Sequence, residues 1–134
     1  MRRGTLLGLL LVLGLVAAAC GGDDEGGSIT IGGESANDHG SEDVSGESSL
    51  AFEMDDFYFE PTVLQGVAGQ TLTLDVENEG ENAHTFTSDE LGVDQEVGPG
   101  EEAEIEVTFP DSGQVVFHCR FHESQGMVGA LEVA

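Results

Sequence analysis

The chain has no lysine, and its only basic side chains are Arg2, Arg3 and Arg120. Against these stand 27 acids, for a formal net charge of -24 over 134 residues. Without lysine, Schiff-base catalysis and phosphate-loop chemistry are excluded. Without a basic patch to neutralise phosphates, nucleic acid is excluded as a partner. An anionic membrane surface repels such a chain rather than attracting it. Cysteine is scarce as well: Cys20 and Cys119 are the two in the sequence. The length allows one small domain.

Residues 1–19 read as an export leader, with Arg2 and Arg3 before the apolar run Leu6 to Val16 and the small residues Ala17, Ala18 and Ala19 directly before Cys20. The apolar stretch is too short to span a bilayer comfortably. Small residues followed at once by cysteine resemble the lipobox of bacterial lipoproteins, which implies lipidation of Cys20 as the new N-terminus. Ala17 stands where that motif usually has leucine. The alternative is plain secretion, with Cys20 left as a free thiol. A multiply acylated cysteine would anchor the chain to the outer face of the cell membrane.

Residues 21–48 hold eight acids, no base and no aromatic, and are rich in glycine and serine. Their composition predicts a disordered tether, about 30 Å r.m.s. in span. Ile29 and Ile31 have no nearby apolar support in that window, and His39 reads as a solvated tether histidine.

From residue 49 to 134 the period changes to two. Leu72, Leu74 and Val76 alternate with polar residues, and Ala103, Ile105, Val107 and Phe109 alternate with Glu102, Glu104, Glu106 and Thr108. These are half-buried strands with one solvated face. Val115, Phe117 and Cys119 share one parity, while Val116, His118 and Arg120 share the other. Val128 to Val133 makes a last strand, and Glu60-Pro61 marks a sheet edge. No stretch carries a helical period. The spacing predicts an all-β sandwich or barrel. A domain of this size buries about 60–65% of its unfolded surface, so it is modestly stable without a ligand. Cys119 has no partner cysteine in it.

The segment Cys119-Arg-Phe-His122-Glu-Ser-Gln-Gly-Met127 has the spacing C-x2-H-x4-M, and His84 follows the turn Asn78 to Ala83. A thiolate, two imidazoles and a thioether are the donors of a blue-copper electron-transfer site. Thiolate and thioether favour Cu(I), and imidazoles suit both Cu(I) and Cu(II). Taken alone, Met127 also reads as core filler and His118 as a solvated strand residue. A dinuclear copper centre would need a cysteine where Glu123 stands. One cysteine, two histidines and a methionine make a poor zinc set. A cysteine–histidine dyad at a strand end has no oxyanion loop beside it.

At these residues the sequence resembles a cupredoxin of the plastocyanin, pseudoazurin and halocyanin-like group. The resemblance runs from about Phe52 to Ala134 through Phe59-x-Pro61, Gly69, Asn78-x-Gly80, His84-Thr85-Phe86, Val116 to His122 and Gly126 to Gly129. It implies a Greek-key β-sandwich, with His84, Cys119, His122 and Met127 as ligands to one copper ion. It implies a one-electron carrier rather than an enzyme, with electrons passing at the His122 edge inside an apolar collar. Expected partners are a cytochrome or oxidase-type redox protein with a basic docking face, and the membrane through the lipid anchor; the protein itself is expected as a monomer. Three residues depart from the family pattern: Phe121 stands where proline is common, His118 where tyrosine is common, and Thr85 where asparagine is common. The Thr85 hydroxyl is expected to bond the backbone near Cys119. An extracytoplasmic copper-binding or delivery protein would use the same ligand set and is the alternative reading. The acid excess fits either docking to a basic partner or salt adaptation.

Overall fold

The computed structural model describes residues 27–133. The leader, Cys20 and its lipidation lie outside the described residues. Twelve strands follow in chain order: β1 Gly27–Ile31, β2 Glu34–Asp38, β3 Ser41–Asp43, β4 Ser49–Asp55, β5 Tyr58–Glu60, β6 Val63–Gly66, β7 Thr71–Asn78, β8 His84–Ser88, β9 Val93–Val97, β10 Glu102–Thr108, β11 Gly113–His118 and β12 Val128–Val133. A single 3-10 turn, Glu123–Gln125, interrupts the loop between β11 and β12.

Two sheets face each other. One has the order β10-β7-β4-β5 and the other β3-β6-β12-β11-β8-β9. The alternation read from the sequence is the alternation of burial. Leu72, Leu74 and Val76 on β7 and Ile105 and Val107 on β10 point inward, against Leu64, Phe86, Val115, Phe117 and Leu131 of the opposite sheet. β5 ends its sheet, as Pro61 just beyond it requires. Burying these alternating apolar side chains between the layers is the main stabilisation, about 1.5–3 kcal/mol for each large side chain.

The outward face of the four-stranded sheet carries no base. Glu102 lies opposite Glu77, Glu77 opposite Glu53, and Glu53 opposite Glu60, so four carboxylates form one row across four strands. Like charges directly opposite destabilise a sheet. At exposed Glu79, just past β7, the negative charges of Glu53 and Asp55 hold the carboxyl above its usual range.

Residues 27–48 correct the expectation of a disordered tether. β1 and β2 form a hairpin through Gly32-Gly33, both at positive φ (59° and 85°). This is the geometry that two-residue hairpin turns demand and glycine supplies. The hairpin covers the outer face of the six-stranded sheet, where buried Ile31 and Ala36 pack on Val63, Val128 and Ala130, with Ile29 and Val116 at the margin. β3 then pairs with β6, and Val44 enters the main core. The segment is poor in apolar residues, yet Ile29, Ile31 and Ala36 land on apolar surface that the strand parity leaves uncovered, and Val44 joins the main core. His39 is likewise not simply solvated: its ring stacks on Tyr58 at 3.4 Å between centroids and 9° between planes.

Candidate metal centre

The site is built at one end of the sandwich. His84 opens β8, and Cys119 follows β11 by one residue. The loop from Cys119 to Met127 is closed by its own backbone. The Cys119 N–H donates to the Met127 carbonyl (3.0 Å), the Met127 N–H to the His122 carbonyl (3.3 Å), and the His122 N–H to the Cys119 carbonyl (3.2 Å). These bonds bring Met127 beside Cys119, and both are fully buried in the main core. The hairpin holds the loop from outside. Asn37 donates from its backbone to the Gly126 carbonyl (2.8 Å), and from its side chain to the carbonyls of Gln125 (2.9 Å) and Phe57 (2.8 Å).

Three of the four residues singled out from the sequence present donor atoms to one point. His84 Nδ1 and His122 Nδ1 are 3.1 Å apart, Cys119 Sγ lies 3.5 Å from His122 Nδ1 and 3.8 Å from His84 Nδ1. No other group of three histidine, cysteine or acidic side chains among the described residues converges this way. The point equidistant from the corners of a triangle with these edges lies about 2.0 Å from each corner. That is the usual metal–imidazole length and a little short of the metal–thiolate length of about 2.3 Å. The donor set and the spacing both fit a metal ion, and His84, Cys119, His122 and Met127 form a potential copper site.

Local electrostatics prepare the donors. Burial pushes the Cys119 thiol up, but hydrogen bonds from His84, from the Thr85 and Phe121 amides and from His122 outweigh it and bring the thiol to about 6. The Thr85 amide donates to Sγ at 3.3 Å. Burial works against protonated His84, while the Cys119 sulfur and the Asp56 carboxylate favour it, and the net direction is upward.

Behind these donor residues lies a closed polar circuit. The Arg120 amide donates to Thr85 Oγ1 (2.8 Å), and Thr85 Oγ1 and Thr87 Oγ1 are 2.9 Å apart. Thr87 donates to Asp94 (2.9 Å), which also accepts from Arg120 Nε (2.7 Å). Because the single Thr87 proton goes to the carboxylate, the Thr85 hydroxyl must donate to Thr87. The bond expected between Thr85 and the backbone beside Cys119 is thus present. Asn78, fully buried, donates to the carbonyls of Asn82 and Val97 (both 2.9 Å) and accepts from the Gly80 amide (2.9 Å), which fixes the loop leading into His84.

His122 is half-buried and packs against Phe57 (4.5 Å) and, more loosely, Phe121 (6.2 Å). Phe121 is 47% exposed, and the Arg120 guanidinium lies over its ring at 5.2 Å. His118, half-exposed, lies against the Glu123 carboxylate (3.7 Å). Sequence reasoning named none of Asp56, Asn37 or Phe57 as part of the site.

The cupredoxin-like domain profile matches residues 29–130. The chain belongs to the cupredoxin family. No curated protein matches the sequence. Among solved structures, reduced auracyanin from Roseiflexus castenholzii superposes with a TM-score of 0.55 at 20% identity, covering 66% of this chain and 98% of that one. Auracyanin B gives 0.55 at 18% identity, covering 66% and 89%. The metal-binding domain of the Streptococcus pneumoniae Cu(I)-exporting P-type ATPase gives 0.57 at 17% identity, covering 69% and 96%. At these identities the likeness is one of fold. The family domain begins at residue 29, so the hairpin belongs to the domain rather than to a tether. No helix among the described residues is long and apolar enough to cross a membrane.

Proposed function

We propose that this cupredoxin is a type 1 copper protein that carries single electrons, and that His84, Cys119, His122 and Met127 are the residues that would hold the copper. The convergence of two Nδ1 atoms and one thiol on a single point carries the reading. A bound copper ion would supply a one-electron couple between Cu(II) and Cu(I). The chain's own part is rigidity and access. Strand ends, the closed 119–127 loop and the Thr85 circuit hold the donors in one arrangement, which keeps reorganisation small as charge changes. Buried His84, Cys119 and Met127 exclude water from one side. The half-buried His122, framed by Phe57 and exposed Phe121, offers the path to the surface. A copper-delivery protein would use the same ligands, but exposed methionine would suit ready exchange. Among the described residues Met54 and Met127 are both fully buried, which favours the carrier.

The partner is proposed to be a redox protein with a basic face, steered by the surrounding acids. The one described base, Arg120, is tied to Asp94. Association with a basic cytochrome should therefore slow as salt rises in stopped-flow measurements, and salt-independent rates would assign the acids to solubility alone. Export and lipidation at Cys20 remain part of the proposal. With β1 opening at Gly27, six residues separate Cys20 from the domain. Fully extended they reach about 20 Å, so the anchor would hold the domain close to the membrane surface. The first test is addition of one equivalent of Cu(II) to the metal-free protein. An intense blue thiolate band with a narrow copper hyperfine splitting is expected, and a pale spectrum would overturn the reading.

A further inference from the structure

Asp56 lies in the turn between β4 and β5, on the sheet opposite the one that carries the ligands. Its Oδ1 is 2.7 Å from His84 Nε2. The same carboxylate accepts the Glu81 N–H at Oδ2 (2.9 Å) and the Asn82 N–H at Oδ1 (3.3 Å). Those amides belong to the loop that Asn78 fixes. Gly80 lets that loop close down, because a Cβ there would overlap both the Asp56 carboxylate and His84 Nε2. His84 is fully buried and the Asp56 side chain is 21% exposed, so the pair sits where charge is weakly screened.

A carboxylate can only accept from a neutral imidazole. Nε2 must therefore carry a proton, so the neutral ring is left with its Nδ1 lone pair aimed at Cys119 and His122, the form a metal ion requires, whereas the Nδ1 bond to the Cys119 sulfur belongs to the protonated ring. His122 has no comparable carboxylate partner among the described residues. We propose that Asp56 is a positioning residue of the metal centre, which locks His84 in its ligating tautomer and, by its charge, makes His84 a stronger donor and lowers the reduction potential of the bound copper. This rests on the copper reading above. A nearby negative charge favours the more highly charged oxidation state, and outer partners of ligating histidines change metal affinity by about 10–100-fold.

The test uses the full chain and two variants. Asp56→Asn keeps an oxygen that can accept from Nε2–H but removes the charge; Asp56→Ala removes both. In copper-loaded protein, the Asn variant should stay blue while its preference for Cu(II) over Cu(I) falls about 10–100-fold. At about 59 mV per tenfold for one electron, its potential should rise by about 60–120 mV. The potential of a merely structural residue would not move in a variant that is still folded and blue, so an unchanged potential overturns the proposal. Nitrogen NMR of the metal-free wild type supplies a readout that needs neither copper nor a variant. At a pH high enough for the ring to be neutral, His84 protonated at Nε2 alone is expected, with mixed tautomers in the Ala variant; a neutral wild-type Nδ1–H tautomer overturns the proposal even if both variants fail to fold. A wild type that gives no thiolate band would overturn the copper assignment and the claim on the potential with it, while the tautomer would still judge the Asp56 contact.

Discussion

Replacing Cys119 by serine is expected to abolish the intense blue absorption of the copper-loaded protein while leaving the sandwich folded. The band needs a thiolate sulfur bound to Cu(II), and a serine oxygen supplies neither the soft donor nor, at neutral pH, an anion. The fold should survive because serine is close to isosteric and the Thr85 amide keeps an acceptor in place of Sγ. The metal-free protein gives a second, independent readout. The Cys119 thiol is brought down to about 6 in the folded state, against about 8.5 in an unfolded chain. A group whose pKa is lowered by folding stabilises the native state above its unfolded pKa, and that contribution fades as pH falls toward the folded value. The stability advantage of wild type over Cys119→Ser should therefore be largest near pH 9 and shrink toward pH 6 in urea unfolding. Retention of the blue band in the serine variant would remove Cys119 from the ligand set.

Much of this site was legible because the ligand chemistry lies in a short loop. Cys119, His122 and Met127 are spaced closely enough to be read together, and strand alternation placed Cys119 on the inward face. Thr85, next to a named histidine, could also be given a hydrogen bond to look for. Asp56 was not legible. It is one of 27 acids, 28 residues ahead of His84, and only the sheet-to-sheet packing brings the two side chains together. The hairpin is hidden in the sequence for a different reason. Averaging composition over residues 21–48 hides Ile31, Ala36 and Val44 among acids and glycines. Two local signals pointed the other way. Gly32-Gly33 between Ile31 and Glu34 is a two-residue hairpin turn, and Val116, Val128 and Ala130 put apolar side chains on a face that a bare sandwich would leave wet.

Phe117→Ala should show how far the metal centre depends on the core beneath it. Phe117 is fully buried two residues before Cys119. Its ring stacks on Phe86 at 4.4 Å and meets Phe59 at 5.0 Å and Phe52 at 5.9 Å edge-on, so it joins both sheets directly under the ligands. Truncating a buried phenylalanine to alanine costs about 3–5 kcal/mol, through lost transfer energy and the cavity left behind. Domains of this kind have about 5–15 kcal/mol in total. With a like-charge carboxylate row on one sheet and no disulfide among the described residues, this one has little to spare. The melting temperature of the metal-free variant should fall by roughly 12–40 °C, at about 4–8 °C per kcal/mol. Copper held by the folded site more tightly than by the open chain should return up to about 4 kcal/mol at 1,000 times its dissociation constant. The loaded variant should consequently stay folded and blue at temperatures where the metal-free one has melted. Calorimetry with and without copper separates the two terms. A loss under about 1 kcal/mol in the metal-free protein would mean that the aromatic cluster does not carry the site, and the rigidity of the centre would then have to come from the closed ligand loop and its Asn37 clasp alone.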